Sequence, residues 1–215
     1  MRPRSTWRAV VRARLIAIGA VVFAHRSWTP IPFIVFLVLC TWKKSPDIVT
    51  WVPGLVLLAA GEGVRLWGVA VIGKESRTRV SGTARLVIAG PYAYVRNPLY
   101  LGNLVLTLGA TMISELLWML PIVAVLYALQ YGPIVLWEEQ QLAERFGAHY
   151  AAYCRRVPRW VPRCRRVSGT PCTYQWRAAL WSERSTFAAL ALFICGMLGK
   201  ENLPRLSTYL QKLTR

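Results

Sequence analysis

Long apolar runs dominate this chain, and they restrict it to folds that lie in a membrane. Hydrophobic residues make up 55% of the 215 residues, and the mean hydropathy is +0.36. The apolar runs cover residues 15–42, 52–72, 99–113, 116–137 and 187–198. Such runs are typical of membrane helices, which need about 20 apolar residues to cross a bilayer. We therefore predict an all-α polytopic membrane protein with about four to five transmembrane helices.

The first and last apolar runs are the least suited to crossing a bilayer. Polar residues and prolines interrupt the first run around residues 25–32. Because each half is shorter than a full span, we interpret residues 15–42 as a surface-lying helix followed by one span. The last run, residues 187–198, is also short. We predict a re-entrant or interfacial segment there.

The central runs form a more regular set of spans. The run at 52–72 contains two ionisable residues, Glu62 and Arg65, which lie one helical turn apart. Such residues are costly inside a membrane and usually face a partner or a cavity. A structural ion pair and a role in lining a site both remain open. Ser114 and Glu115 alone separate the next two runs, which predicts a tight helical hairpin.

The distribution of charge orients these spans. The net charge is +18, and basic residues concentrate in segments 1–14, 73–96 and 138–185, whereas the opposite loops hold few charges. Because positive residues prefer the cytoplasmic side, we predict an N-inside, four-span topology in which all three basic segments are cytoplasmic.

The basic residues also indicate which partners to expect. They flank apolar runs instead of forming one amphipathic face, which favours anionic lipid headgroups over nucleic acid. We interpret the cluster Arg163-Cys164-Arg165-Arg166 as an anchor to the lipid surface. The five cysteines show no CxxC spacing, so the sequence supports no disulfide framework and no metal or redox site. The oligomeric state is left open.

A polar, aromatic and turn-forming stretch, residues 90–102, leads directly into an apolar run. Gly90 and Pro91 predict a turn. Tyr92 is of a type that anchors at the level of the headgroups. Pro98 suits the first position of the following helix. We expect reactive side chains in such a junction to lie at the membrane surface.

A second polar stretch follows the hairpin. Two adjacent acids, Glu138 and Glu139, begin a predicted amphipathic helix at 138–153, and a basic run with two prolines follows at 154–162. Taken alone, the two acids are consistent with a solvated first turn, because acids are favourable near a helix N-terminus.

Together, the two stretches resemble the isoprenylcysteine carboxyl methyltransferase family and related membrane phospholipid methyltransferases. The family motif Gly-x-Tyr-x-x-x-Arg-His-Pro-x-Tyr-x-Gly is matched by Gly90, Tyr92, Arg96, Pro98, Tyr100 and Gly102. The later Glu-Glu pair and Phe-Gly-x-x-Tyr-x-x-Tyr-x-x-Arg-Val-Pro run are matched by Glu138, Glu139, Phe146, Gly147, Tyr150, Tyr153, Arg156, Val157 and Pro158. Asn97 stands where many members have His.

The resemblance implies an S-adenosylmethionine-dependent methyltransferase with a cytoplasmic cofactor pocket at the helix ends. The cofactor-binding residues it implies are Tyr92, Arg96, Asn97, Pro98, Tyr100, Gly102, Glu138, Glu139 and Tyr150. The cofactor presents an ammonium, a carboxylate, ribose hydroxyls and an adenine face, so acids, donors and aromatic walls suit it. The two acids fit the ammonium and hydroxyls, and Arg96 or Asn97 fits the carboxylate.

The residues implied in catalysis are Arg156, Tyr100 and Glu139. Arg156 is expected to hold an anionic part of the acceptor. Direct displacement at the sulfonium methyl needs little acid–base help when the acceptor is a carboxylate or thiolate. An amine acceptor must lose a proton, which Asn97 cannot take. The remaining candidates are Glu138, Glu139 and Tyr100, and we assign no general base.

The expected acceptor is a lipid or another hydrophobic small molecule that enters from the bilayer. We divide the chain into a basic segment with the first membrane helix region at 1–50, a methyltransferase core at 51–162 and a basic extension with a short apolar helix at 163–215. Two alternatives remain. One is a sterol-type reductase that uses NADPH, for which the chain is short. The other is a non-catalytic membrane scaffold or lipid-binding protein, in which the two glutamates are incidental.

Overall fold

The described residues of this protein form helices joined by turns and loops. The computed structural model describes residues 4–26, 28, 30–40, 47–72, 86–168 and 172–213, and it contains no strand in these ranges. Its helices are α1 (Arg4–His25), α2 (Pro30–Leu39), α3 (Ile48–Ile72), α4 (Pro98–Ile113), α5 (Leu120–Arg156) and α6 (Trp176–Leu213). Short 3₁₀ turns at Gly90–Ala93 and Leu117–Met119 precede α4 and α5. The predicted all-α fold is confirmed.

Three helices are long and apolar enough to cross a membrane. They cover Ile48–Ile72, Leu117–Arg156 and Trp176–Gly199, and α4 is a shorter apolar helix. The prediction of a membrane protein is therefore confirmed. The last of these helices differs from the prediction of an interfacial segment at 187–198. It extends back to Trp176 through the polar residues 182–186, and Glu183 of this stretch is paired with Arg65 inside the protein.

The first apolar region also differs from the prediction. It forms two helices, of which α2 has only ten residues. At 1.5 Å per residue α2 is about 15 Å long, half the thickness of the hydrocarbon core, so it is too short for the full span expected within residues 15–42. The preceding helix, α1, packs against α5, where the rings of Phe23 and Trp137 have their centroids 4.8 Å apart.

Helices α3 and α4 are held together at two glycine contacts. A Cβ atom added to Gly61 would lie 2.7 Å from the carbonyl oxygen of Gly102, and one added to Gly109 would lie 2.8 Å from that of Gly54. Small residues of this kind let two membrane helices approach until their backbones touch. The contacts fix the depth at which α4 begins, and therefore the position of the polar stretch before it.

A tight turn joins α4 to α5, as the sequence predicts. Ser114 caps α4, and Glu115 adopts a positive φ of 60° before the 3₁₀ turn. The side chain of Glu115 accepts a hydrogen bond from the backbone N–H of Asp47 at 2.9 Å, which ties this turn to the start of α3. The predicted helical hairpin is confirmed.

Helix α5 is longer than a helix that only crosses a bilayer. Its first segment, from Leu120 to the residue before Gly147, is about 40 Å long at 1.5 Å per residue, whereas a hydrocarbon core is about 30 Å thick. Gly147 has non-helical backbone angles (φ 48°, ψ −121°) and kinks the chain. The amphipathic helix predicted at 138–153 is therefore divided between the end of the span and a second helical segment that ends at Arg156.

Part of the charge pattern lies outside the described residues. Residues 73–85, which carry most of the basic charge of the segment 73–96, belong to this part of the chain. The N-inside orientation stays a prediction.

Candidate active site

The two motif stretches lie against each other. The loop after α5 is hydrogen-bonded to the stretch before α4 through three backbone amides: Arg96 donates to Pro158 at 2.9 Å, Arg163 to Tyr94 at 3.0 Å and Val167 to Ala93 at 3.2 Å. The hydroxyl of Tyr153 adds a bond to the carbonyl oxygen of Tyr92 at 2.9 Å. Segments about sixty residues apart in the sequence thus form one layer at the end of the helices.

The stretch before α4 owes its shape to two residues. Gly90 has a φ of +55°, a conformation that side-chain-bearing residues rarely adopt, and it opens the 3₁₀ turn. Asn97 precedes Pro98, the first residue of α4, and its side chain is buried. The Nδ2 atom of Asn97 donates to the carbonyl oxygen of Arg159 at 3.2 Å, so Asn97 holds the loop that follows α5.

A cavity of about 690 Å³ adjoins this layer, and we call it the polar cavity. Its wall includes Arg12 of α1, Arg96 of the motif stretch, Glu139, Tyr150 and Cys154 of α5, and Arg159 of the following loop. Volumes of roughly 300–1,000 Å³ are usual for small-molecule sites. The polar cavity therefore has the size and the mixture of charged and aromatic groups that a cofactor with several functional groups needs.

Glu139 is the centre of a charged group, the Glu139 cluster, which also contains Arg96 and Arg159. Arg159 binds the carboxylate with both Nε at 3.0 Å and Nη2 at 2.6 Å. Arg96 approaches it with Nη1 at 3.3 Å. In this conformation the carboxylate is already paired, so a ligand ammonium must share it with the two arginines.

One N–H donor of Arg96 has no hydrogen-bond partner among the described residues. Its Nη1 contacts Cys154 Sγ at 2.8 Å, and its Nε is buried without a hydrogen-bond partner among the described residues. Burial lowers the pKa of Arg96, but the charge of Glu139 and the interactions with Cys154 and Tyr150 together more than offset this effect, and the pKa lies above its usual range. The guanidinium therefore stays charged at physiological pH and is available to an anion such as a carboxylate.

A second and larger cavity lies deeper among the helices. It measures about 1110 Å³ and is mostly lined by apolar side chains of α2, α4, α5 and α6, so we call it the apolar cavity. Glu138 lines it and is only 3% exposed. The hydroxyl of Tyr100 donates to Glu138 Oε1 at 2.9 Å. The two adjacent glutamates of α5 thus belong to two cavities of opposite character.

Three tyrosines surround the site of Glu138. The rings of Tyr100 and Tyr131 have their centroids 5.1 Å apart, and those of Tyr127 and Tyr131 stack at 4.2 Å. The hydroxyl of Tyr127 donates to the carbonyl oxygen of Tyr100. This arrangement fixes the ring of Tyr100, and with it the hydrogen bond to Glu138.

A buried charged group lies in the wall of the apolar cavity. It consists of Glu62, Arg65 and Glu183, and we call it the membrane cluster. Arg65 Nε contacts Glu62 at 3.2 Å, and its Nη2 contacts Glu183. The hydroxyl of Thr186 donates to Glu183 at 2.8 Å, and Arg65 also donates to Asn103 of α4. Of the two possibilities open for Glu62 and Arg65, the ion pair is present, and Arg65 also lines the cavity.

The structure brings some of the predicted site residues together and leaves others apart. Arg96, Glu139 and Tyr150 line the polar cavity, and Tyr100 and Glu138 line the apolar cavity. The remaining predicted residues lie outside both walls: Tyr92, Asn97, Pro98, Gly102 and Arg156.

Packing explains the positions of these remaining residues. Tyr92 packs with Val71 and Ala89, and Gly102 packs against Gly61. The side chain of Arg156 is exposed, while its carbonyl oxygen accepts a bond from Arg163. The roles predicted for them in binding or catalysis stay predictions.

Several residues of the two cavities were not predicted from the sequence. Arg159 lies three residues after Arg156, and the bend that follows Val157 turns it toward Glu139. The sequence feature that could have identified Arg159 is its position in the basic run next to the second motif. Asn103 and Glu183 had weaker signals, because Asn103 is a single polar residue in an apolar helix and Glu183 lies in a polar run, 182–186, that looks like a solvated segment. A polar residue buried in a membrane helix is itself a sign of a partner.

Comparison with known proteins identifies the class of this arrangement. Residues 49–149 match the sequence model of the phospholipid methyltransferase family. The cobalt-zinc-cadmium resistance protein CzcN of Cupriavidus metallidurans is 30% identical over 158 residues, which cover 73% of this chain and 62% of CzcN. Protein-S-isoprenylcysteine O-methyltransferase B of Arabidopsis thaliana is 28% identical over 117 residues, which cover 51% of this chain and 57% of that protein.

A reductase also shares part of the sequence. The Delta(14)-sterol reductase TM7SF2 of Mus musculus is 31% identical over 93 residues, 41% of this chain but only 21% of the reductase. No solved structure matches. The segment matched by the family contains both the stretch 90–102 and the pair Glu138-Glu139. Residues 49–149 therefore resemble the phospholipid methyltransferase family, which confirms the resemblance predicted from the two motifs.

Proposed function

We propose that this protein is an S-adenosylmethionine-dependent membrane methyltransferase that acts on a lipid or another hydrophobic small molecule. The proposal rests mainly on one observation: the adjacent residues Glu138 and Glu139 line different cavities. The first lines an apolar cavity among the helices, and the second lines a polar cavity at their end. A transfer between a polar donor and an apolar acceptor needs two such compartments beside each other.

The polar cavity suits the cofactor. The buried Nε of Arg96, which has no partner among the described residues, offers a donor for a carboxylate. Tyr150 supplies an aromatic wall, and Glu139 supplies an acid for an ammonium or ribose hydroxyls. When bound, S-adenosylmethionine supplies an electrophilic methyl group on a sulfonium. The name of the plant relative, an O-methyltransferase, supports the same chemistry.

The apolar cavity suits the acceptor. Its walls come from helices that are long and apolar enough to lie in a bilayer, so a hydrophobic molecule has a route to it from the lipid. Glu138 and Tyr100 are hydrogen-bonded polar groups in an otherwise mostly apolar wall. We propose that they orient the reacting group of the acceptor.

Positioning and exclusion of water supply most of the catalysis in this proposal, because direct displacement needs little acid–base help. The three-tyrosine packing holds Tyr100 and therefore Glu138. An amine acceptor that arrives protonated would pass a proton to Glu138, whereas a carboxylate or thiolate would not require one. Chemical analysis of the methylated product identifies which of these atoms accepts the methyl group.

We also propose that the polar cavity faces the cytoplasm and that anionic lipids bind beside it. The exposed arginines near this end are Arg155, Arg156, Arg163, Arg165 and Arg166. Basic clusters next to a bilayer attract anionic headgroups, at roughly 1 kcal/mol per residue near the surface. The positive-inside preference supports the same orientation.

Cofactor binding is the first test. Purified protein is titrated with S-adenosylmethionine and, separately, with NADPH by calorimetry. We expect binding of S-adenosylmethionine alone and a clear loss of affinity in Glu139→Ala. Binding of NADPH alone would favour a reductase, and binding of neither would favour a scaffold. Equal affinity of Glu139→Ala and the natural protein would contradict the cofactor site.

Methyl transfer is the second test. The protein is incubated with methyl-labelled S-adenosylmethionine and a total lipid extract, and the labelled species is identified by mass spectrometry. Label in a lipid or hydrophobic small molecule is the expected result. Absence of label from that fraction, with S-adenosylmethionine bound, would contradict the proposed acceptor class.

A further inference from the structure

Helix α6 lies outside the segment that matches the phospholipid methyltransferase family, yet it forms one wall of the apolar cavity. Its lining residues are Glu183, Ser185, Thr186, Ala189, Leu190 and Phe193. Opposite them, residues such as Leu106 of α4 and Leu126 of α5 line the same cavity. An acceptor that occupies this cavity therefore lies between the family core and the C-terminal helix.

The N-terminal part of α6 is fixed to α3 by polar contacts. The backbone N–H of Gln175 donates to the carbonyl oxygen of Ala70 at 2.8 Å. Arg65 contacts both Glu183 and the hydroxyl of Thr186, the latter at 3.3 Å. Because Glu183 is buried, this ion pair holds the helix at one depth and one rotation, with the cavity-lining residues turned inward.

The later part of α6 is fixed by apolar packing. Phe193 and Met197 are buried in a cluster that includes Leu37 of α2 and Trp51 of α3. Between the polar and apolar attachments lies the short stretch around Ala189. The helix presents small side chains to the cavity there, at Ser185 and Ala189, and a larger one, Phe193, one turn further on.

We propose that α6 is part of the acceptor site and limits the size of the acceptor's apolar part. The small side chain of Ala189 leaves room beside Leu190 and Phe193, and Glu183 positions the helix through Arg65. The ligand class is a lipid-like molecule whose apolar part lies against this face of α6. The inference rests on the proposed methyl transfer to a hydrophobic acceptor.

The chain offers a matched pair of substitutions for a test. Ala189→Phe adds a ring to the cavity wall. Ala191→Phe adds the same ring two residues later; both positions are exposed, but Ala191 does not line the cavity. Both variants are assayed as full-length protein with methyl-labelled S-adenosylmethionine and a total lipid extract, and the chain lengths of labelled products are compared by mass spectrometry. Affinity for S-adenosylmethionine serves as the measure of correct folding.

We expect Ala189→Phe to lower labelling of the longest acceptors about tenfold, equivalent to about 1.4 kcal/mol, and to shift the products toward shorter ones, because the added ring occupies cavity volume that the apolar part of the acceptor would fill. Ala191→Phe should behave like the natural protein, and both variants should bind the cofactor normally. If Ala189→Phe labels the same species at the same rate as Ala191→Phe, α6 is not part of the acceptor site, although the methyltransferase proposal stands. If the natural protein binds the cofactor but labels nothing, the proposed function fails and this inference fails with it.

Discussion

The two charged clusters of this protein have opposite compositions. In the Glu139 cluster, one carboxylate is bound by two guanidiniums, those of Arg96 and Arg159. In the membrane cluster, one guanidinium is bound by two carboxylates, those of Glu62 and Glu183. With all groups ionised, the first has an excess positive charge and the second an excess negative charge.

Their surroundings differ mainly at Arg159 and at the two membrane carboxylates. In the Glu139 cluster, the side chain of Arg159 is 38% exposed, but those of Arg96 and Glu139 are 14% and 11% exposed. In the membrane cluster, Arg65 is 17% exposed, and Glu62 and Glu183 are 5% and 6% exposed. Charge near water is stabilised by solvent and can be shared with a ligand at little cost. Charge in a buried position must be matched by its neighbours. The comparison is consistent with the proposed ligand binding at the Glu139 cluster, and it favours a structural role, the joining of helices, for the membrane cluster.

The largest expected effect is a difference in the free energy of unfolding between variants of the two clusters. Arg65→Met leaves two buried carboxylates without their cation, and we expect the free energy of unfolding to fall by about 3–5 kcal/mol. Arg159→Met removes a cation that is partly exposed, and we expect a loss below about 1 kcal/mol. Both are measured by unfolding with a denaturing detergent in mixed micelles. Similar losses in the two variants would remove the distinction between the clusters.

The second prediction concerns ligand binding at the Glu139 cluster. Arg96→Ala should raise the dissociation constant for S-adenosylmethionine about tenfold to a hundredfold, because a hydrogen bond to a charged group contributes about 1.5–3 kcal/mol. Isothermal titration calorimetry measures the change. Arg145→Ala is the control, since this arginine is exposed and lines neither cavity. An unchanged dissociation constant in Arg96→Ala would contradict the role of its unpaired donor.

The third prediction compares substitutions of the two adjacent glutamates. Glu139→Gln should weaken binding of S-adenosylmethionine, whereas Glu138→Gln should leave binding intact and slow methyl transfer, each by about tenfold, or 1.4 kcal/mol. Calorimetry gives the affinity, and incorporation of label at saturating cofactor gives the rate. If both variants lose affinity equally, the two acids serve one cavity and the division proposed between them is wrong.

The smallest expected effect is at Asn97. Its side chain bonds the carbonyl oxygen of Arg159, so Asn97→Ala should lower the free energy of unfolding by about 0.5–1.5 kcal/mol and weaken cofactor binding slightly. Asn97→Asp keeps the size of the side chain but loses the donor, and it should lose about as much. If Asn97→Asp is as stable as the natural protein, the hydrogen bond does not explain the position of Arg159.

The sequence predicted the meeting of the two motif stretches because each carries a dense local pattern of turn, aromatic and charged residues. It was less informative about which side of a helix each residue occupies. Glu138 and Glu139 were assigned together to the cofactor, but successive residues of a helix point about 100° apart, and they line different cavities. In the same way, the arginine selected was Arg156, whereas the loop brings Arg159 to the cavity.

Local sequence patterns did not predict the contacts between distant segments. Glu183 lies 118 residues after Arg65, and neither residue alone indicates the other. The length of α6 was underestimated for a similar reason, because the polar stretch 182–186 precedes the apolar run at 187–198 in the sequence, and Glu183 of that stretch is paired here with an arginine of another helix. Pairing across helices changes what a membrane helix can contain, and it is visible only in three dimensions.

Gly102, the last residue of the first motif, contacts Arg65, which lines the apolar cavity. A Cβ atom at this position would lie 2.7 Å from Cγ of Arg65, so the glycine leaves a passage for the aliphatic stem of that arginine between α3 and α4. The guanidinium emerges beside Asn103 and reaches α6. Even Gly102→Ala would obstruct this passage and disturb the attachment of the C-terminal helix. A motif that resembles a cofactor signature therefore ends in a residue whose small size is required by an arginine of the membrane cluster.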